Sequence, residues 1–378
     1  MIKKILIVFA FVILGGLCYY LSLTTIKKNK VKTKALHTLG VLNSEWKMKT
    51  SEKDEKFSTT FNSSTILIDG VYTSMEGPIS YNRFKLNEEE NELYWITKFE
   101  GMANSKYNSE KISNDFICHI NLYHSDVEHF ARMGLNERIS RQQSDILMLT
   151  KGGLSITFPN GFGYPLYSNE KILVGTQALN LNKENEIFNV DYKFKLHYLK
   201  NKDKQLQPLY MRYVVLALPY KGEDEQTKPS INGDEKMFVR CAGPNNRMEN
   251  DRGEKMTTFW KIPTGKHSFV SNVTKILSLK KEETIHFINV HVHPYATSLE
   301  LRDSTANSTV FKSIITSSKE KKGIENITEF SSIKGVKLYP THQYYLVQKV
   351  NNTSNKEIDM MASMFLYFYD EDLDKKLN

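Results

Sequence analysis

Two histidines stand two residues apart in the stretch HFINVHVHPYATSLELRD, residues 286–303. In a β-strand, side chains i and i+2 point to the same face. His291 and His293 are therefore expected on one face, placed to offer two imidazoles to one metal ion. His286 falls on the opposite face by the same count. Near the C-terminus, EIDMMASMFLYF opens its strand with Met360 and Met361 on opposite faces. A thioether is a soft ligand that suits copper, copper(I) above all, and two imidazoles with one thioether suit copper better than zinc. The plainer alternative is also open on these residues alone. The two histidines can be ordinary strand residues, and Met360, Met361 and Met364 can be packing in the core.

The elements around these residues are short runs rich in Val, Ile, Phe and Tyr, such as STILIDGVYTSM, DFICHINLYH, KILVGTQALNL, NVDYKFKLHYL, TIHFINVHVH and ASMFLYFYD. Many alternate with period two, and Gly, Asn, Asp, Lys or Pro clusters separate them. The pattern predicts an all-β protein of antiparallel sandwiches. The only helix it supports lies near residues 126–138. A chain of 378 residues has room for two such domains. We expect a linker over residues 24–60, one sandwich over 61–204 and a second over 205–378. The polar, Pro-containing stretch 219–236 is either a junction or a long surface loop. No short-period repeat points to a solenoid or propeller.

The chain carries a net charge of +8, but acids and bases are interspersed and no Arg-rich stripe or nucleic-acid module stands out, so no nucleic-acid partner is expected. Neither a G-x-S-x-G elbow nor a P-loop is present. NGFGYP follows no βαβ pattern and reads as a turn, and Glu88, Glu89, Glu90 and Glu92 read as a solvated loop. None of the three cysteines forms a CxxC pair. Cys118 and Cys241 are left as one bridge or two thiols. At the N-terminus, Lys3 and Lys4 precede an apolar run over residues 5–23, long enough to cross a bilayer. We expect an uncleaved membrane anchor over residues 1–23, with the folded part outside the cytoplasm. Lysines after the run, in KKNKVKTK, compete with Lys3 and Lys4 in setting its orientation.

Taken together, VHVHPYATSLELRD and YYLVQKVNNTSNKEIDMMASMFLYFYD resemble the copper type II, ascorbate-dependent monooxygenases, the family of peptidylglycine α-hydroxylating and dopamine β-monooxygenases. WKIPTGKH, residues 260–267, is similar to the family's approach to its H-x-H strand. The resemblance runs over roughly residues 65–372. It implies two jelly-roll sandwiches and copper as cofactor, the catalytic copper being held by His291, His293 and Met361. It also implies hydroxylation of a C–H bond with dioxygen, and as partners a small-molecule or peptide substrate and an electron donor. The family holds a second copper in its first sandwich on three imidazoles. Here FICHINLYH places Cys118 and His119 at the counterpart of the paired histidines, and Asn180 stands near the third. That set, Cys118, His119 and Asn180, is either an altered metal site or no site, with His124 and His197 as substitute ligands. In the latter case the chain is a membrane-anchored copper-binding or non-catalytic surface protein on the same fold.

Overall fold

The computed structural model describes residues 11–378, apart from 12, 13, 54, 55, 75, 105, 108, 109, 221–247, 250 and 251. The chain is mostly β, as its period-two pattern predicts. In chain order the strands that matter here begin with a hairpin, β1 (Lys47–Lys53) and β2 (Lys56–Asn62). β3 (Ile79–Phe84), β4 (Leu93–Ala103), β5 (Ile117–His124), β6 (Asp145–Thr150), β7 (Phe162–Tyr167), β8 (Ile172–Ala178) and β9 (Tyr192–Lys200) complete the first half. The second half contains β10 (Gln207–Val215), β11 (Gly265–Asn272), β12 (Glu283–Val292), β13 (Ala296–Asp303) and β14 (Ser308–Ser317). It ends with β15 (Ile324–Ile327), β16 (Phe330–Leu338), β17 (Tyr344–Asn352), β18 (Ile358–Met360) and β19 (Ala362–Tyr369).

One ten-stranded sheet runs through both halves in the order β1-β2-β9-β4-β7-β10-β19-β12-β16, with Ser155–Thr157 pairing on β4. The halves join where β7 meets β10 in a short parallel register, Phe162 opposite Gln207 and Gly163 opposite Pro208. A four-stranded sheet, β3-β8-β5-β6, covers the first half, and a five-stranded sheet, β11-β17-β13-β14-β15, covers the second. Two apolar cores fill the spaces between these layers. The first contains Phe99, Ile120, Leu149 and Phe194, and the second Leu301, Leu346, Met364 and Phe368.

β19 and β12 are buried on both faces. Ala362, Met364, Leu366 and Phe368 point into the second core, while Met361, Phe365 and Tyr367 point into the first, along with Phe287 from β12. A strand covered on both sides has no use for a polar face, which is why ASMFLYFY reads as an almost unbroken apolar run. Hydrogen bonds from Asn289 Nδ2 to the Met148 carbonyl (2.8 Å) and from Thr150 Oγ1 to the Val290 carbonyl (3.3 Å) tie β12 to β6 of the first half.

The segment expected to be a linker is built into the fold. Helix α1 (Thr25–Thr38) and the β1–β2 hairpin occupy it, and β2 pairs with β9. The helix docks through polar groups: Asn29 Nδ2 donates to the Leu67 carbonyl (2.8 Å) and to Asp69 (2.6 Å), and Lys32 pairs with Asp69 at 2.7 Å. Short helices also occur at Asp126–Arg132 (α2), within the predicted 126–138, and at Thr274–Leu277 (α3) and Glu371–Leu377 (α4). Residues 1–10, 12 and 13 of the expected anchor lie outside the described residues. Among the described residues no helix is long and apolar enough to cross a membrane. Cys241 and nearly all of the 219–236 stretch also lie outside them, and the expected Cys118–Cys241 alternative with them.

Candidate metal centre

A register shift between Ile285 and Phe287 marks a bulge in β12. His286 is absorbed there, stacked on Phe162 with ring centroids 4.0 Å apart and its Nδ1 3.0 Å from the Ser332 carbonyl oxygen. Beyond the bulge the strand is regular, so Phe287, Asn289, His291 and His293 share a face. On the neighbouring strand His291 is paired with Ser363 and Val292 with Ala362. Continuing that register by one residue sets Met361 opposite His293. Met361, His291 and His293 therefore lie on one face of two adjacent strands. Met360 faces the second core, where its sulfur accepts a hydrogen bond from Gln348 Nε2 (3.2 Å).

The His291 and His293 rings are edge to face, with centroids 5.6 Å apart. Both residues are buried, 3% and 1% exposed, and Met361 is 0% exposed. His293 Nδ1 lies 3.3 Å from the Asp359 carbonyl oxygen, which leaves Nε2 as its ligand atom. Among the described residues both ring nitrogens of His291, Nε2 of His293 and the Ser363 hydroxyl have no hydrogen-bond partner. Buried polar atoms are seldom left so, and a group of them on one face is open to an ion or a water as partner. Burial pushes the His291 imidazole well below its usual range, with His293 and His119 adding to the effect, and burial lowers His293 to about 4. Both rings are neutral at pH 7, the state in which imidazole binds a metal.

From the first half, only His119 of the second predicted set reaches this place. Its ring centroid is 6.3 Å from that of His291, at 84°. Cys118 is the extra residue of an irregularity in β5, where Gln177 is paired with His119 and Ala178 with Ile117, and it neighbours Tyr192. Asn180 is fully committed to a loop. Its Nδ2 donates to the Gly70 carbonyl (2.8 Å) and the Lys183 carbonyl (2.7 Å), and its Oδ1 accepts from Lys183 N at 3.0 Å. Cys118, His119 and Asn180 thus do not form one ligand set. Neither substitute joins them: His197 pairs with Glu100 at 3.0 Å, and His124 is hydrogen-bonded to Tyr164 (2.9 Å) on the face opposite His119. Among the described residues no three His, Cys, Asp or Glu side chains converge closely enough to hold a metal ion. Two imidazoles with a thioether are a set of a different kind, and these three residues fit copper by donor type.

Sequence reasoning missed Asn289 and Ser363 as companions of the histidines. The signal was present, since N-x-H-x-H places three polar residues on one face of an apolar strand. It also missed a buried group at the end of β5. His124 stacks on His129 with centroids 4.0 Å apart, and His129 Nδ1 lies 2.9 Å from Glu170 Oε2. No local pattern joins residues 41 apart in sequence.

No protein-family model matches the chain, and no characterised protein matches it by sequence. Among solved structures it is similar to the major capsid protein P2 of bacteriophage PM2, at 7% identity and a TM-score of 0.27, over 81% of this chain and 97% of that one. It is similar also to a peptide-N(4)-(N-acetyl-β-D-glucosaminyl) asparagine amidase, at 9% identity and a TM-score of 0.32, over 81% and 96%. A third likeness is to the VP2 subviral particle of infectious bursal disease virus, at 9% identity and a TM-score of 0.20, over 86% and 72%.

Proposed function

We propose that this chain is a copper-binding protein of the monooxygenase-like kind, holding one copper ion on His291, His293 and Met361. The observation that carries this reading is the shared face of those three residues, with three buried ring nitrogens left unbonded. Bound copper would supply one-electron transfer by changing between its two oxidation states. The chain's part is to keep the two imidazoles neutral and oriented, one of them through the Asp359 carbonyl, and to exclude water around them. The test is metal content. Copper bound to purified protein at close to one ion per chain, and lost in His291→Ala, supports the reading. Wild-type protein that retains no copper after reconstitution with copper(I) overturns it.

A second reading, copper-dependent hydroxylation of a substrate C–H bond, is favoured by His119, which the first half presents to His291. In that reaction dioxygen puts one oxygen atom into the substrate and the other into water, and ascorbate supplies two electrons. The commitment of the Asn180 amide to a loop weighs for binding without turnover. Ascorbate-dependent oxygen uptake that disappears in His293→Ala would decide for the enzyme.

The finer architecture belongs to the same proposal. Each half, with its two sheets around one core, is read as a jelly roll, and residues 1–23 as a membrane anchor that holds the folded part outside the cytoplasm. Full-length protein released from membranes by alkaline washing alone would count against the anchor.

A further inference from the structure

A polar groove of about 730 Å³ lies at the end of the four-stranded sheet, where β5 ends and α2 begins. Its size falls within the range for small-molecule sites. Arg141, Lys171, Ser140, Gln142, Ser144 and His124 are among the residues that line it. Its two carboxylates are engaged within the fold. Asp126 accepts hydrogen bonds from Val127 N (2.9 Å) and Ser140 N (3.1 Å), and Glu128 pairs with Arg132 at 3.1 Å. Among the described residues Arg141 and Lys171 enter no ion pair. Arg83, Arg141 and Lys171 thus face Asp126 and a Glu128 already paired with Arg132, which leaves a net positive charge in the groove beside hydroxyl and amide donors.

His124 gives the groove a chemical floor. It is 2% exposed, and its Nε2 is hydrogen-bonded to Tyr164 Oη at 2.9 Å, while Nδ1 has no hydrogen-bond partner. Behind it lie the His129 ring and Glu170, whose Oε1 accepts a hydrogen bond from Tyr167 N (2.8 Å). The charged and titratable groups around His124 are His129, Glu170, Tyr164 and Asp126, with Arg83, Glu128, Arg141 and Lys171 along the groove. Burial raises Glu170 to about 7 and lowers His129 to about 3, so this couple is neutral in mildly acidic solution. His124 is held well below its usual range, first by burial and then by His129. Glu170 and Asp126 already draw this ring toward its charged form but burial outweighs them, and a bound anion would add to their pull.

We infer that this groove is a second ligand site, for a small molecule bearing a phosphate- or sulfate-type group, and that His124 takes up a proton when the ligand binds. The proton goes to Nδ1, since Tyr164 occupies Nε2. The site lies on the face of β5 opposite His119, so it does not depend on the copper site.

Sulfate is the probe, because its charge is constant over the working range and any proton taken up belongs to the protein. Calorimetry on the full chain in two buffers of different ionisation heat reads both affinity and proton uptake. Sulfate is expected to bind more tightly near pH 5.5 than near pH 7.5, because the protonated ring adds a positive charge to the site. Lys171→Ala with Arg141→Ala abolishes binding. His124→Gln, which retains a partner for Tyr164, keeps binding but loses most of its pH dependence, the remainder belonging to Glu170. His291→Ala leaves both unchanged. The inference is overturned by wild-type protein that does not bind sulfate near pH 5.5, or by proton uptake that is undiminished in His124→Gln.

Discussion

The two adjacent methionines separate by what faces them. Met361 lies on the histidine face, and Met360 gives its sulfur to Gln348 on the other side of the strand. Met361→Ala should weaken copper(I) binding on the order of tenfold to a hundredfold, with a smaller effect on copper(II), as loss of a soft ligand requires. Met360→Ala should leave copper affinity alone and destabilise the fold by about 2–5 kcal/mol, the usual cost of removing a buried methionine side chain. A competition titration with a copper(I) chelator, run beside urea unfolding, reads both. Equal loss of copper in the two variants would remove Met361 from the site. The difference between them was legible in the sequence, because parity along a strand is fixed by geometry. The fate of Asn180 was not. Only the positions of Gly70 and Lys183 reveal that its amide is spent on a loop.

At the scale of the element, the bulge in β12 brings odd-numbered residues of that strand onto the same face as odd-numbered residues of β19. Gly335 on β16 sits against this bulge in the left-handed region, with φ of 69°. A Cβ there would come within 2.7 Å of the Ile285 carbonyl oxygen and 2.5 Å of the Thr284 methyl. Gly335→Ala is therefore expected to destabilise the protein by about 1–3 kcal/mol, the range for a residue forced into a sparsely populated backbone region. Thermal unfolding unchanged by this substitution would show that β16 yields there. The bulge could not be foreseen, because a run of alternating residues carries no mark of one extra position. The β1–β2 hairpin escaped notice for a related reason. β1 is exposed at all seven of its residues and Lys-rich, which is how an edge strand resists pairing with other chains, and in sequence that looks like a linker.

For the whole molecule, several histidines are buried and neutral. Their folded values lie below the unfolded value of 6.5: His129 at about 3, His293 at about 4, and His124 and His291 well below it. The unfolded chain binds more protons in this range, so the stability they contribute is full above pH 6.5 and is lost as the pH falls toward those values. Glu170 and Glu329, both raised to about 7 by burial, act in the opposite sense between 4.5 and 7, and the histidines outnumber them. Copper-free protein should therefore lose stability steadily from pH 6.5 to 4, with about 3 kcal/mol of the loss from His293 alone. Urea midpoints across that range measure it, and His124→Gln should flatten the slope. A midpoint that rises on acidification would refute the assignment of these rings as neutral.

The all-β class was legible because alternation survives wherever one face of a strand meets water. The union of the two halves was not, because it is made by β19 and β12, which are covered on both faces and carry no alternation to read. That union also bears on how the protein is made. Phe365 and Tyr367, with Phe287 and Met361, complete a core whose other members all lie before residue 212. Arg138 and Asp370 pair across 232 positions of sequence. Contacts so distant in sequence slow folding. The first half stays incomplete until β19 has been synthesised, so its folding waits on the second half.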